Sequence, residues 1–362
     1  MNIDRRGFIK SSSVLLGATV AGGLCASTES SKKLGVALVG LGYYSTDLLA
    51  PALQHTQQCY LSAIVTGTKA KESQWASQYG IKNSNIYNYD NFDDIKNNAD
   101  IDIVYVVLPN SMHKEFTIRA AQAGKHVICE KPMALNAIEC EEMILACKKN
   151  NVRLTIGYRL HFEPYTQHIM SLGKSLPFGD IKYIQAAAEF RTQPEDFPNS
   201  WRLKKSMGGG WMMDMGIYAI QAARYSKQME PVAVTAQTAN SRPQYFKEVT
   251  ETTTAQLYFP DGSLAQITGT AATFVGNLTV AAADGQYYLS PFWTYEGIRG
   301  GTLSKPFDFP LVHQQVTQLD EMAISIRDNL PMRVEAEEGL KDMRVMDAIF
   351  RSIALGGKKV II

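Results

Sequence analysis

Three residues spread over a 362-residue chain have side chains suited to moving a proton while hydride moves. Lys131 stands between an acid and a proline in Cys129-Glu130-Lys131-Pro132, directly after an apolar run of strand length. Asp214 and Tyr218 belong to Gly208-Gly209-Gly210-Trp211-Met212-Met213-Asp214-Met215-Gly216-Ile217-Tyr218, and their spacing of four puts them on one face of a helix. A cation beside a phenol favours the phenolate, and the phenol can then pass a hydroxyl proton during hydride transfer on an alcohol or carbonyl. Each piece also has a plainer reading: a lone lysine as a solvated charge, and an Asp/Tyr pair as one surface and one core residue. The Lys131-Pro132 bond is a candidate cis peptide that would fix the backbone. The triple glycine is expected to be a flexible start that brings the helix close to a ligand.

Such chemistry needs a nucleotide, and a site for one is legible upstream. Immediately after the apolar run 34–39 comes Gly40-Leu41-Gly42-Tyr43-Tyr44-Ser45, a G-x-G-x-x-S variant of the dinucleotide fingerprint. The two glycines permit a tight turn and close approach of backbone to pyrophosphate at a helix N-terminus, and Ser45 is small enough for helix packing. A second strand, 61–65, ends in Thr66-Gly67-Thr68-Lys69-Ala70-Lys71, where an NAD site usually carries a carboxylate. Hydroxyls and ammonium groups attract a 2′-phosphate that a carboxylate would repel, so the expected cofactor is NADP rather than NAD. The plainer alternative is that Lys69 and Lys71 only solvate a helix start.

The elements that must position these residues fall into two groups. Runs at 34–39, 61–65, 103–108, 126–129 and 154–156 alternate with helical patterns such as 115–123 and 139–149, a βαβ series predicting a parallel sheet covered on both faces. Alternating segments at 182–190, 232–238, 252–259, 264–270 and 277–282 then follow with few helices between them, which predicts a largely antiparallel sheet. Helices are expected at 211–225, 313–328 and 337–355. The predicted architecture is α/β: an N-terminal Rossmann domain over 31–156 and a C-terminal α+β domain with an open sheet over 157–362. An apolar face on that sheet is expected to make subunit contacts, giving a homodimer or homotetramer.

Residues 1–30 read as an export signal and short linker. Asp4-Arg5-Arg6-Gly7-Phe8-Ile9-Lys10 precedes serines and a weakly apolar stretch too short to span a bilayer, a pattern resembling a twin-arginine signal. Cleavage near Ala26 would remove Arg5, Arg6 and Lys10 against Asp4, taking the formal charge from +1 to −1. The expected location is the periplasm. With 36 Lys and Arg against 35 Asp and Glu, the composition provides no field for nucleic acid or anionic lipid. Cys25, Cys59, Cys129, Cys140 and Cys147 form neither a CxxC nor a Cys/His metal spacing, so no metal is expected.

Several stretches together resemble the Gfo/Idh/MocA superfamily, in its glucose-fructose oxidoreductase branch. They are Leu108-Pro109-Asn110-Ser111-Met112-His113, Glu130-Lys131-Pro132-Met133-Ala134, Gly157-Tyr158-Arg159-Leu160-His161-Phe162-Glu163-Pro164, Trp201-Arg202-Leu203 and the segment 208–218. The resemblance implies that Gly40, Leu41, Gly42, Tyr43 and Tyr44 contact the cofactor, that Thr66 and Lys71 hold the 2′-phosphate, and that Leu108, Pro109, Asn110 and His113 line the nucleotide cleft. It assigns Glu130 to the nicotinamide ribose, Arg159, Trp201 and Arg202 to the surroundings of cofactor and substrate, and Lys131, Asp214 and Tyr218 to catalysis. Tyrosine at 218, where histidine is common in the superfamily, favours the sugar branch. His161 and His168 read as structural. Two departures stand out: the arm that encloses the nucleotide in that branch is almost absent here, and residues 284–310 diverge where the substrate pocket is shaped.

An exported nicotinamide enzyme meets almost no free NADP. The leading expectation is therefore a sugar oxidoreductase that oxidises an aldose at C1, retains its cofactor and restores it with a second carbonyl sugar. The alternatives are a nicotinamide-assisted glycosidase, a conventional NADP-dependent sugar reductase, and a non-catalytic binding protein.

Overall fold

The computed structural model describes residues 32–193 and 198–362, so the expected export signal over 1–30 lies outside the described residues. The N-terminal sheet contains β1 (Leu34–Val39), β2 (Cys59–Val65), β3 (Ile86–Tyr87), β4 (Ile103–Val106), β5 (His126–Cys129) and β6 (Leu154–Ile156). All neighbours pair in parallel, in the order β3-β2-β1-β4-β5-β6. Every residue of β1 and β4 is buried, as expected for strands covered on both faces, so these runs show no alternation. The strand order reverses between β1 and β4, the switch point where open α/β sheets place a ligand at their carboxyl edge.

The covering helices are α1, a wide π-type turn over Tyr44–Leu49 continued by Ala50–Leu53, then α2 (Lys69–Tyr79), α3 (His113–Gln122) and α4 (Ala137–Lys149). Asn136 caps α4 by accepting from the Glu139 amide. Helix α5 (Pro164–Ser175), capped by the Glu163 carboxylate, leads into the second domain, with α6 (Ile217–Lys227), α7 (Gln314–Arg327) and α8 (Ala336–Ala354) completing it. The second sheet adds β7 (Ile181–Glu189), β8 (Ala233–Ala239), β9 (Thr252–Tyr258), β10 (Leu264–Thr270), β11 (Gly276–Ala282), β12 (Gly285–Leu289), β13 (Gly300–Thr302) and β14 (Val360–Ile361). Its order is β13-β12-β11-β7-β10-β9-β8-β14, antiparallel except for the parallel β7–β10 pair.

Helix α8 buries Leu340, Met343, Met346 and Ile349, a stripe recurring every three residues, each worth about 1.5–3 kcal/mol on burial. The seam is tighter than a cut near residue 156 implies, because α8 returns to the first domain. Its Asp347 accepts from the Ala137 amide, and Gly339 lies close enough to Met133 and Ile156 that a Cβ there would sit 2.9 Å from Met133. From α7, Asp320 accepts from the amides of Gln57 and Gln58.

One expectation is corrected: the open face of the second sheet is not apolar. Gln185, Gln237, Gln256 and Gln266 are exposed there, with Thr235, Thr254 and Thr268 half-buried beside them. Tyr183 and Tyr258 stand among them, their hydroxyls donating to Gln266 and Gln256, and Lys359 lies over the Tyr258 ring.

Candidate active site

The carboxyl edge of the first sheet carries the nucleotide residues. Gly40 ends β1 with φ +90, and a Cβ there would lie 2.4 Å from the Val107 carbonyl oxygen. Only glycine makes that turn. Gly42 has nothing within 4 Å of where a Cβ would be, so this stretch of backbone is open to a ligand at the start of α1. Ser45 is buried and donates to the Gly40 carbonyl at 2.6 Å, bracing the loop. Leu41 packs into the core and offers only backbone, its carbonyl accepting from Lys71 Nζ at 2.5 Å. Thr66 is buried at the end of β2 and its hydroxyl accepts from the Thr68 amide at 3.1 Å. Lys71, Thr66 and the Gly40–Gly42 loop thus adjoin, whereas Lys69 is solvated and pairs with Glu72. Tyr43 is exposed, while the Tyr44 hydroxyl is buried without a partner among the described residues. An open glycine cradle with an orphan hydroxyl beside it fits a dinucleotide.

The catalytic candidates converge from both domains. Lys131 Nζ donates to the Asp214 carbonyl at 2.7 Å and to Asp214 Oδ1 at 3.1 Å, across 83 residues of sequence. Arg202 Nε donates to Asp214 Oδ2 at 2.7 Å. Burial opposes the charge on Asp214, but Arg202 and Lys131 outweigh it and hold its carboxyl well below the usual range. Lys131 is likewise penalised by burial, yet Tyr218, Asp214 and Glu130 keep it protonated above the ordinary lysine value. Its Nζ lies 4.8 Å from the Tyr218 ring centroid. Arg159 approaches the same ring at 5.3 Å, and its Nη2 donates to the Tyr218 hydroxyl at 3.4 Å. Tyr218 therefore sits between two cations.

Local structure explains this placement. The Lys131-Pro132 bond is cis, as anticipated, and Glu130 stays inside, accepting from the Tyr105 hydroxyl at 2.6 Å. Burial pushes the Glu130 carboxyl up. Glycine at 157 makes room, because a Cβ there would lie 2.4 Å from Glu130 Oε1. Asp214 lies in a π-type turn over Met212–Gly216 that precedes α6, so its four-residue spacing to Tyr218 crosses a change of helix type. The triple glycine is not a flexible start. Cβ atoms at Gly208 and Gly209 would lie 2.4 Å from Leu135 and from the Arg202 carbonyl, and Gly210 has φ +103, so the segment is tightly packed.

Two further assignments change. His113 is fully enclosed, its ring nitrogens facing the carbonyls of Leu108 at 2.8 Å and Pro132 at 2.9 Å. Asn110 is buried and donates to the Gly208 carbonyl at 2.8 Å. Both are struts tying the loops after β4 and β5 to each other and to the glycine turn, rather than cleft-lining groups. Leu108 is buried as well, and Pro109 precedes the turn over Asn110–Met112. Trp201 supports Arg202, whose guanidinium lies 4.6 Å from its ring.

The sequence reading named none of the aromatic wall. Trp293 stacks on Tyr218 at 6.4 Å, and Tyr295 stacks on Tyr44 at 6.0 Å, with Arg159 over the Tyr295 ring at 4.3 Å. Arg159 is pinned by the carbonyls of Trp293 and Thr294 and by Gln314 Oε1. These residues come from a loop and a helix start without periodicity; the only signal was the divergence of 284–310. Among the described residues, no group of three or more His, Cys, Asp or Glu could hold a metal ion. The described cysteines are free and buried.

Comparison with known proteins agrees with this geometry. Residues 34–158 match an oxidoreductase family with an NAD-binding Rossmann fold, and residues 167–287 match the GFO/IDH/MocA C-terminal domain. The aldose-aldose oxidoreductase of Caulobacter crescentus, solved with glycerol, is 38% identical with a TM-score of 0.86, over 91% of this chain and 100% of that one. A D-xylose 1-dehydrogenase [NADP(+)] of Haloarcula marismortui is 25% identical over 90% of this chain and 92% of its own length. A 3-ketoreductase from Actinomadura kijaniata shares the fold at a TM-score of 0.78 and 20% identity, over 89% of this chain and 98% of that one. With the Gly40–Gly42 loop, the Lys131–Asp214–Tyr218 cluster and both family domains in place, the chain belongs to the GFO/IDH/MocA family of oxidoreductases.

Proposed function

We propose that the protein is an exported NADP-dependent sugar oxidoreductase that keeps its nicotinamide bound and restores it in the same site with a second carbonyl sugar. The observation that carries this reading is Tyr218 held between Lys131 and Arg159, with its hydroxyl 3.4 Å from Arg159 Nη2. The nicotinamide, when bound, accepts and returns the hydride. Tyr218 takes the C1 hydroxyl proton as an aldose becomes its lactone, and gives that proton to the carbonyl oxygen of the second sugar. Lys131 and Arg159 stabilise the negative charge on the phenol oxygen before it takes the first proton and again after it gives that proton to the second sugar. Asp214 acts by orienting Lys131.

A sugar substrate is supported by the aldose-aldose oxidoreductase and D-xylose 1-dehydrogenase similarities. NADP is supported by Lys71 and Thr66 beside the glycine loop, where β2 ends without a carboxylate. Export rests on the paired arginines at 5 and 6, and cofactor retention follows from it. The open face of the second sheet is the surface on which a second copy would pack.

The test is to purify the exported protein without added nucleotide, mix it with aldoses and follow the near-UV absorbance of reduced nicotinamide. A stoichiometric rise reversed by a second sugar is expected. Protein that responds only to supplied NADP would refute the retained cofactor and leave a conventional dehydrogenase. Replacing Arg5 and Arg6 by lysine should hold the precursor in the cytoplasm.

A further inference from the structure

Tyr218 and Arg159 meet from two segments that a third holds in place. Tyr218 stands on α6, and Gln221 and Arg224 follow it there at steps of three, each a neighbour of the last on the helix surface. Arg159 opens the short turn over Arg159–Phe162, directly after Tyr158. Asp342 of α8 reaches both. Its Oδ2 accepts from the Tyr158 hydroxyl at 2.6 Å and from Gln221 Nε2 at 3.0 Å, across 184 and 121 residues of sequence. Its Oδ1 accepts from Arg224 Nη1. One carboxylate thus ties the residue before Arg159 to the helix turn that follows Tyr218.

This carboxylate is fully buried, and burial pushes it up against the opposing pull of Arg224, Tyr158 and Gln221. Burial and the Asp342 charge push the Tyr158 hydroxyl well above the usual phenol range, so it stays a donor. Arg224 is held in addition by Glu230 at 2.6 Å and Glu338 at 2.9 Å. Charges withdrawn from water in this way are often no more stabilising than well-packed apolar residues of the same volume, and their best-attested use is to fix register. The register fixed here is that of α6 against the 159–162 turn.

The guanidinium of Arg159 has anchors of its own, the carbonyls of Trp293 and Thr294 and Gln314 Oε1. These belong to the loop after β12 and to α7, so they place the head against those elements and leave its separation from α6 to the tie through Asp342. That separation matters at one contact. The Tyr218 hydroxyl accepts from Arg159 Nη2 at 3.4 Å, near the limit of a hydrogen bond, so a small outward shift of the turn ends it.

We propose that Asp342 is a positioning residue for the proton transfer: through Tyr158 and Gln221 it sets the distance between Arg159 and the Tyr218 hydroxyl, and with it the support the charged phenol oxygen receives. The proposal rests on Tyr218 as the acid-base group and adds three residues that act through Arg159 and Tyr218.

The test compares Tyr158→Phe, Gln221→Met and Asp342→Asn in the full protein. Tyr158→Phe keeps the ring and its stack on His161 at 5.9 Å and leaves Asp342 paired with Arg224 and Gln221, so it should fold even where Asp342→Asn does not. In crystals of each variant, Arg159 Nη2 and the Tyr218 hydroxyl should stand beyond hydrogen-bonding reach. In single turnovers with aldose, reduction of the nicotinamide should slow by about tenfold or more, since misplacement by about 1 Å is enough for such a loss. The aldose concentration for half-saturation should stay within about threefold of the parent. Tyr158→Phe combined with Asp342→Asn should be no slower than the slower single variant, because both break one tie. A network that serves stability alone would lower the melting temperature of Tyr158→Phe while leaving its rate within about threefold and the 3.4 Å contact intact, and that result overturns the proposal. Tyr218→Phe is measured alongside. If it slows reduction and Tyr158→Phe does not, the positioning role falls and the phenol keeps its own; if it is as fast as the parent, the phenol's role falls and this proposal with it.

Discussion

Tyr218→Phe separates the chemistry of the site from its architecture. The substitution keeps the ring between Lys131 at 4.8 Å and Arg159 at 5.3 Å and preserves the stack on Trp293, so packing is nearly unchanged. What disappears is a hydroxyl whose hydrogen bond, accepted from Arg159 Nη2, is long at 3.4 Å. Such a bond contributes at most about 1 kcal/mol, which moves the melting temperature of a chain this size by less than about 3 °C. A positioned acid-base group, by contrast, contributes about 10²–10⁴ in rate, or about 2.7–5.5 kcal/mol of barrier at 1.36 kcal/mol per tenfold. The variant should therefore fold, bind nucleotide and sugar within a few-fold of the parent, and reduce its nicotinamide at least about a hundredfold more slowly in a single turnover. Thermal melts and rapid mixing with aldose measure the two effects. A rate within about threefold of the parent would refute the proton-transfer role.

Other perturbations probe the supporting structure. Asp214→Asn leaves Lys131 and Arg202 without their counter-ion, and breaking a buried pair costs about 3–5 kcal/mol, reduced here because the Arg202 side chain is 42% exposed. Because the Asp214 pKa is depressed in the folded state, its contribution is present above the ordinary carboxylate value of about 3.9 and fades as pH falls towards the folded value. Denaturant melts should show a gap between parent and variant at neutral pH that narrows near pH ~3; an equal gap at both would refute the pairing. Gly40→Ala should unfold the loop and cost several kcal/mol through the clash with Val107, whereas Gly42→Ala, facing open space, should fold normally and weaken nucleotide binding. Melts combined with nucleotide titration distinguish the two, and normal binding by Gly42→Ala counts against the cradle. Thr66→Asp with Lys71→Ala should lower the NADP-over-NAD affinity ratio by at least about tenfold. An unchanged ratio would remove Thr66 and Lys71 from the 2′-phosphate site.

Much of the scaffold was readable because strand signals are local. The fully apolar run at β1 and the alternation in β9 reflect how many faces each strand buries, and that pattern is written in a few consecutive residues. The glycine loop was legible for the same reason: φ +90 at Gly40 restricts which residue can stand there. His113, by contrast, has the type and position of a cleft residue, and only the surrounding carbonyls reveal a strut. The glycines at 208–210 look flexible in isolation and prove to be close-packed once Leu135 and the Arg202 carbonyl are placed.

By itself the sequence determined a parallel series followed by a largely antiparallel one, without the short strands β3, β12, β13 and β14, together with the turn that admits a dinucleotide and the residue types able to carry charge and protons, all set by short-range sterics and periodic burial. Tertiary structure alone decided that Lys131 meets Asp214 across 83 residues, that Arg159 closes on Tyr218, and that Trp293 and Tyr295 wall the site from an aperiodic loop. Those contacts depend on how two sheets and the returning helices α7 and α8 pack together, and long-range packing leaves no periodic trace in the chain that makes it.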